Sequence, residues 1–175
     1  YVSHKNGKTQ RLTDREGWNT ALFSGDYQYF INTWSDFNTP FVFTTRNRDG
    51  RVISTLEDNK ELRQIVKEAG FTKREPFSFT TSEGVTLNGW MVKPADFDAS
   101  RKYPVIMHQY SGPGSQQVTN SWNAGSLGQG GAFDYYLAQQ GFILVSVDGR
   151  GTGGRGAEFE KCTYLRLGEL ESKDQ

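Results

Sequence analysis

The chain has 175 residues and a mass of 19.7 kDa, the size of one ordinary domain or of parts of two. Lys and Arg number 20, as do Asp and Glu, so the chain lacks the basic excess of a nucleic-acid-binding protein. One cysteine and two histidines argue against a disulfide framework and a multi-histidine metal site, and we expect neither metal nor cofactor. The longest apolar runs are too short to span a bilayer.

Residues 1–56 predict short antiparallel strands joined by tight turns. The turn segments are Asn6-Gly7, Ser24-Gly25-Asp26 and Asp49-Gly50, whose residues tolerate positive φ. The predicted strands are Tyr1–His4, Thr9–Leu12, Thr20–Phe23, Tyr27–Trp34, Phe41–Thr45 and Arg51–Thr55. Ring-rich strands at this spacing favour a sandwich or one or two propeller blades.

A helix is predicted after these strands. Asp58 is a good N-cap residue, and Glu61 would complete a capping box. Leu62, Ile65, Val66 and Ala69 form one apolar stripe at helical spacing, and Gly70 is a typical stop. Because the composition changes here, residues 57–75 are interpreted as a connecting helix and linker.

Residues 76–175 predict alternating strands and helices, typical of the first part of an α/β domain. The predicted strands are Pro76–Thr81, Val85–Lys93, Pro104–Tyr110 and Phe142–Asp148. The predicted helices are Phe133–Gln140, Ala157–Tyr164 and a further one in the charged run Glu169–Gln175. The nearly continuous apolar strand at Phe142 is typical of a buried parallel strand. We expect its Phe142–Val147 segment to lack one neighbour and to form an open, aggregation-prone edge.

Three sequence motifs suggest chemistry but have ordinary alternatives. Gly149, Gly151 and Gly154 match a dinucleotide-binding fingerprint after a strand, although no acidic residue ends a second strand at the required distance. Ser126 lies in an Ala-Gly-Ser-Leu-Gly sequence, but no buried strand precedes it as a nucleophile elbow requires. His108 has no nearby nucleophile, which favours a buried, hydrogen-bonded histidine over a catalytic one.

The segment from Tyr110 to Gly114 is the strongest candidate for a site. It follows a predicted strand at its carboxyl end, where α/β sheets place their ligands. Gly112 and Gly114 allow close backbone approach, Pro113 stiffens the turn, and Ser111 belongs to the same loop. The Tyr110 phenol can donate a hydrogen bond to a developing oxyanion. A packed tyrosine beside an ordinary loop is the alternative.

Asp148 and Arg150 follow the other apolar strand at the same predicted sheet edge. We expect them to hold the glycine-rich loop near the site through charge-assisted hydrogen bonds. Arg150 should then contact a carboxylate or backbone carbonyls and be largely buried. The alternative is that both side chains are solvated.

Several of these motifs together resemble the dipeptidyl peptidase IV family of prolyl oligopeptidase-like serine peptidases. The similar runs are Tyr103-Pro104, His108-Gln109-Tyr110-Ser111-Gly112-Pro113-Gly114-Ser115-Gln116, Val147-Asp148-Gly149-Arg150-Gly151-Thr152-Gly153, Leu167-Gly168 and Asp174-Gln175, together with Arg51–Leu62. The resemblance implies the last strands of a β-propeller followed by the start of an α/β-hydrolase domain. Since the chain starts at Tyr1 and stops inside a charged run, we expect a fragment of a longer protein.

The resemblance also implies roles for particular residues. Tyr110 would be the side-chain half of the oxyanion hole, with Ser111, Gly112, Pro113, Gly114, Asp148 and Arg150 supporting it. The catalytic serine, aspartate and histidine would follow Gln175. A Glu pair that binds the substrate's amino terminus would precede Tyr1. We therefore expect the chain alone to be inactive as a peptidase.

The resulting hypothesis is a serine exopeptidase that releases dipeptides with Pro or Ala second. Its partner would be a peptide, with no nucleic acid, and the full-length protein is expected to be a homodimer in the periplasm, secreted or membrane-associated. Two alternatives stay open: a nucleotide-binding module at Gly149–Gly156, and a propeller-linked interaction domain without catalysis. A G-x-S-x-G motif followed by Asp and His beyond Gln175 would favour the enzyme.

Overall fold

The computed structural model describes residues 2–3, 7, 9–125 and 130–175. Within these ranges the chain forms two compact units. The first contains Tyr1–Ala69 and Asn120–Trp122, and the second contains Gly70–Thr119 and Asn123–Gln175. The predicted linker, residues 57–75, is therefore divided between the units. Among the described residues, none of the helices is both long enough and apolar enough to cross a membrane.

The first unit is built on a four-stranded antiparallel sheet whose strands follow one another in chain order. Its elements are β1 (Val2–Ser3), β2 (Thr9–Gln10), β3 (Trp18–Phe23), β4 (Tyr29–Ser35), β5 (Val42–Asn47), β6 (Val52–Glu57) and helix α1 (Lys60–Glu68). Strands β3 to β6 form the sheet, while β1 and β2 pair separately. Phe30 and Trp34 of β4 are buried, as alternation along a strand with one core face requires.

The turns of this sheet follow local chemistry. Gly50 has φ of 88°, and its N–H donates to the Asn47 carbonyl at 2.9 Å.

Helix α1 differs from the expectation at its start, because Asn59 and not Asp58 is the N-cap residue. Asn59 is in the left-handed region with φ of 51°, and its side chain donates to the Phe41 carbonyl. The predicted capping box is thus wrong, since a tertiary hydrogen bond fixes the residue before the helix.

The second unit contains a mixed four-stranded sheet in the order β7-β8-β10-β9. Its elements are β7 (Arg74–Thr80), β8 (Thr86–Val92), β9 (Val105–His108), α2 (Ala132–Gln139), β10 (Ile143–Asp148), α3 (Ala157–Lys161) and α4 (Glu169–Asp174). Strand β10 pairs antiparallel with β8 and parallel with β9. The core side chains include Leu87, Trp90, Val92, Tyr135, Leu144 and Val147.

The position of β10 corrects one expectation. The apolar strand was expected at an open edge, but it lies between β8 and β9 and has a hydrogen-bonded neighbour on each side. Within the described residues the edges of this sheet are β7 and β9. On β9, Val105 and Met107 are exposed. The continuous apolar pattern therefore belongs to a central strand, on which four of the six residues are buried and Ile143 and Val145 are partly exposed.

Candidate active site

The candidate site lies where the parallel strands β9 and β10 end. Both strands run in the same direction, so their carboxyl ends meet at one sheet edge. Tyr110 follows β9 after one residue, and Asp148 is the last residue of β10. The Tyr110 side chain is 70% exposed, which leaves its phenol accessible to a ligand. The sheet topology thus brings together two of the residues singled out in the sequence.

The segment that carries the phenol, residues 110–118, is called the Tyr110 loop below. Gly112 and Gly114 have φ of 99° and 78°, so both positions favour glycine. The buried Ser115 hydroxyl donates to the carbonyl oxygens of Tyr110 at 3.1 Å and Gly112 at 2.8 Å. Ser115 was not among the candidate site residues of the sequence analysis. Its two hydrogen bonds hold together the turn that begins at Tyr110.

Asp148 anchors the far end of the Tyr110 loop. Its two carboxylate oxygens accept the N–H groups of Gln117 at 2.8 Å and Val118 at 2.9 Å. Burial raises the pKa of Asp148 above its ordinary value of 3.8, although the two amide hydrogen bonds oppose that shift. The indole N–H of Trp90 donates to the Gln117 carbonyl at 3.2 Å. Asp148 therefore holds the Tyr110 loop, whereas the sequence interpretation had it holding the glycine-rich loop.

Arg150 is held by carboxylates on two other elements. Its guanidinium makes hydrogen bonds of 2.7 and 3.0 Å to Asp174 Oδ1 of α4, and its own backbone N–H donates to Asp174 Oδ2 at 2.6 Å. It also forms a 2.8 Å ion pair with Glu83, in the turn between β7 and β8. The side chains of Arg150 and Asp174 are 13% and 1% exposed. The hydrogen bonds that Arg150 donates to Asp174, with a smaller contribution from Glu83, raise the pKa of Arg150. The sequence predicted a carboxylate or carbonyl partner but could not identify it.

The glycine-rich loop, residues 149–156, uses the amides of its first turn for hydrogen bonds within the protein. The N–H groups of Arg150, Gly151, Thr152 and Gly153 all donate within the protein, to Asp174, Phe159, Gly149 and Ser115 respectively. A Cβ on Gly151 would lie 2.8 Å from the hydroxyl oxygen of Thr163, so this glycine serves close packing. A dinucleotide site needs free amides at this turn, and the fingerprint match therefore has a structural explanation.

The remaining candidates fall outside this cluster or have structural roles. Ser126 lies outside the described residues. His108 is buried, and its Nε2 lies 2.8 Å from Asp134 Oδ1 of α2. One signal for this partner is present in the sequence, since Asp134 is the one charged residue of helix α2. Within the described ranges, His, Cys, Asp and Glu side chains form no group of three able to hold a metal ion.

The chain forms an antiparallel sheet followed by a mixed sheet, and the candidate site lies at the carboxyl ends of parallel strands. These features define a propeller-blade segment followed by an α/β-hydrolase segment. The Prolyl oligopeptidase family matches residues 133–175. Dipeptidyl peptidase 4 of Trichophyton equinum is 33% identical over 97% of this chain, which spans 22% of that relative. Dipeptidyl peptidase 8 of Mus musculus is 30% identical over 97% of the chain and 19% of the relative.

A solved structure gives the same result. The crystal structure of Porphyromonas gingivalis dipeptidyl peptidase 4 matches with 44% identity and a TM-score of 0.89, over 99% of this chain and 24% of that one. The resemblance to the dipeptidyl peptidase IV family is therefore confirmed, as is the predicted fold class. The chain spans less than a quarter of the length of these three relatives.

Proposed function

We propose that this chain supplies the tyrosine half of the oxyanion hole to a serine exopeptidase that releases dipeptides, with Pro or Ala second, from peptide amino termini. The observation that supports this proposal is the exposed Tyr110 phenol at the carboxyl end of β9, on a loop closed by Ser115 and anchored by Asp148. A donor on a fixed loop needs little reorganisation when charge develops on a substrate oxygen.

The proposed reaction is acyl transfer followed by hydrolysis. A serine hydroxyl supplied by another part of the protein attacks the carbonyl carbon of the second residue and loses its proton to a histidine. The Tyr110 O–H donates to the carbonyl oxygen as it becomes negative. The carbon–nitrogen bond then breaks, the remaining peptide leaves with that proton, and water releases the dipeptide from the serine.

The test is Tyr110→Phe in the full-length protein, assayed with a Gly-Pro or Ala-Pro chromogenic amide. We expect kcat to fall by about 10²–10³-fold, the usual cost of removing one oxyanion donor, with a smaller change in KM. Tyr136→Phe is the matched control, because Tyr136 is also exposed and its stacking on Phe133 survives the change. An unchanged kcat in Tyr110→Phe would overturn the proposal.

The 175-residue chain alone is the second arm of this test. It has two histidines, and His108 is buried against Asp134, where it does not serve as a base for an external nucleophile. We expect no turnover of the same amide. Turnover that disappears in Ser126→Ala would identify Ser126 as a nucleophile and contradict this interpretation.

We further propose that the full-length protein is a homodimer and that it is periplasmic, secreted or membrane-associated. The support for both is the resemblance to the family. Light scattering of the purified full-length protein and fractionation of the source cells are the direct measurements. A monomer, or a protein confined to the cytoplasm, would contradict the respective statement.

A further inference from the structure

His108 and Asp134 form a buried pair, and His108 is two residues before Tyr110 in the sequence. His108 is the last residue of β9, and Asp134 is in the first turn of α2. The imidazole Nε2–H donates to Asp134 Oδ1 at 2.8 Å, and the backbone N–H of Gly130 donates to Asp134 Oδ2 at 2.9 Å. The Asp134 side chain is fully buried, so both of its oxygens depend on these protein donors.

Other polar groups extend this pair toward the Tyr110 loop. The Arg74 guanidinium lies 3.9 Å from Asp134 Oδ2 and stacks over the Trp90 ring at 4.1 Å. The Trp90 indole N–H in turn donates to the Gln117 carbonyl in the Tyr110 loop. A buried charge is costly unless it is hydrogen-bonded, and Asp134 is bonded to the end of β9 through His108, while Arg74 and Trp90 continue the contacts as far as the Tyr110 loop.

The pair lies at the end of β9, a strand that has few other contacts to hold it in place. Strand β9 has four residues and, within the described part of the chain, pairs with β10 alone. Its Val105 and Met107 side chains are exposed, so they add little packing to hold the strand. His108 therefore supplies a buried side-chain link from the end of β9 to α2. Tyr110 follows two residues later, between this link and the Asp148 anchor at the other end of the loop.

We propose that His108 and Asp134 are positioning residues for Tyr110: the hydrogen bond between them fixes the carboxyl end of β9 and thereby the place of the phenol. This inference rests on the proposed oxyanion role of Tyr110. An oxyanion donor acts only when it is already in place, and a displacement of about 1 Å can reduce a rate about 10²-fold. The pair acts through Tyr110 and does not touch the substrate.

The experiment is a double-mutant cycle in the full-length protein, with His108→Ala, Tyr110→Phe and their combination. Rates are expressed per active serine, counted by titration with an acylating inhibitor, so that unfolded protein does not contribute. We expect His108→Ala to lower kcat by about 10–100-fold with KM within about 3-fold. In the Tyr110→Phe background the same change should cost less than about 2-fold, because the positioned group is gone.

Two further variants separate positioning from general destabilisation. His108→Gln retains an amide donor for Asp134 and should recover most of kcat. Phe30→Leu, a core change in the first unit, should leave kcat per active serine unchanged. If His108→Ala does not fold, the pair His108→Leu with Asp134→Asn removes the buried charge, and the same loss of kcat and the same non-additivity are expected.

The outcomes distinguish the two proposals. Additive losses in the cycle, or an unchanged kcat in the His108 variants, would overturn the positioning role while leaving the oxyanion role intact. An unchanged kcat in Tyr110→Phe alone would instead overturn the proposed function, and the positioning role with it.

Discussion

The two sheets of this chain use similar strands but connect them differently. In the first unit, β3, β4, β5 and β6 lie side by side in chain order. In the second unit, β10 is inserted between β8 and β9, although more than thirty residues separate it from either along the chain. The first sheet is therefore organised by its turns, and the second by packing between distant segments.

The buried arginines of the two units differ in the groups that they bond. In the first unit the buried Arg46 donates to the carbonyls of Gly50, four residues away, at 3.0 Å and of Leu12, 34 residues away, at 3.5 Å, and its carboxylate partner Asp14 is exposed. In the second unit Asp148 accepts from an amide 31 residues away, and Arg150 bonds a carboxylate 24 residues away. Residues that are distant in sequence converge at the ends of β9 and β10, and this convergence assembles the candidate site.

The largest expected effect concerns the arginine of the second unit. Arg150→Met leaves the Asp174 carboxylate buried without its guanidinium and should lower the free energy of unfolding by about 3–5 kcal/mol. Arg46→Met, its counterpart in the first unit, should cost about 1–3 kcal/mol, because it leaves carbonyls and the exposed Asp14 behind. Urea unfolding of both variants measures the difference.

The combination of Arg150→Met with Asp174→Asn provides the control for this prediction. It removes the unpaired charge and should recover most of the lost stability. Equal costs for the two arginine variants would contradict the contrast between an arginine that bonds carbonyls and one that neutralises a buried carboxylate.

The next largest expected effect is a difference in unfolding free energy between alanine substitutions at two similar hairpin turns. Gly50 and Gly84 each close a hairpin with positive φ, and each donates its N–H to the carbonyl three residues before. A Cβ on Gly50 would lie 2.4 Å from the Leu12 carbonyl oxygen, whereas a Cβ on Gly84 would meet nothing within 4 Å. We expect Gly84→Ala to cost about 1 kcal/mol and Gly50→Ala about 2–3 kcal/mol in unfolding free energy. Similar losses in both would show that backbone strain alone sets the cost.

The smallest expected effect is a pH dependence of stability that comes from Glu83, the more exposed of the two carboxylate partners of Arg150. Hydrogen bonds from Arg150 and Lys173 lower the pKa of Glu83 below its ordinary value of 4.5. A lowered folded-state pKa stabilises the protein above 4.5, and this contribution is lost as the pH falls through the folded-state pKa. Glu83→Gln should therefore reduce the loss of stability on acidification, as urea midpoints from neutral pH to below 4.5 would show. An identical acid dependence in both proteins would contradict this.

The sequence by itself determined the local features of this protein. Asp49-Gly50 and the turn at Gly84 are hairpin turns because positive φ is a property of the residues themselves. The apolar run at β10 predicted a mostly buried strand, since strands inside a covered sheet are rich in apolar residues. The Tyr110 loop and the Asp148–Arg150 motif were sufficient to indicate the family.

Tertiary structure decided which distant groups meet. The capping box at Asp58 was wrong because Asn59 is held by the Phe41 carbonyl, a contact that no local pattern encodes. The insertion of β10 beside β9 and the burial of Asp134 against His108 likewise depend on packing of the whole second unit. Periodicity and turn propensity describe a few neighbouring residues, whereas strand order and buried polar partners follow from satisfying every buried group at once.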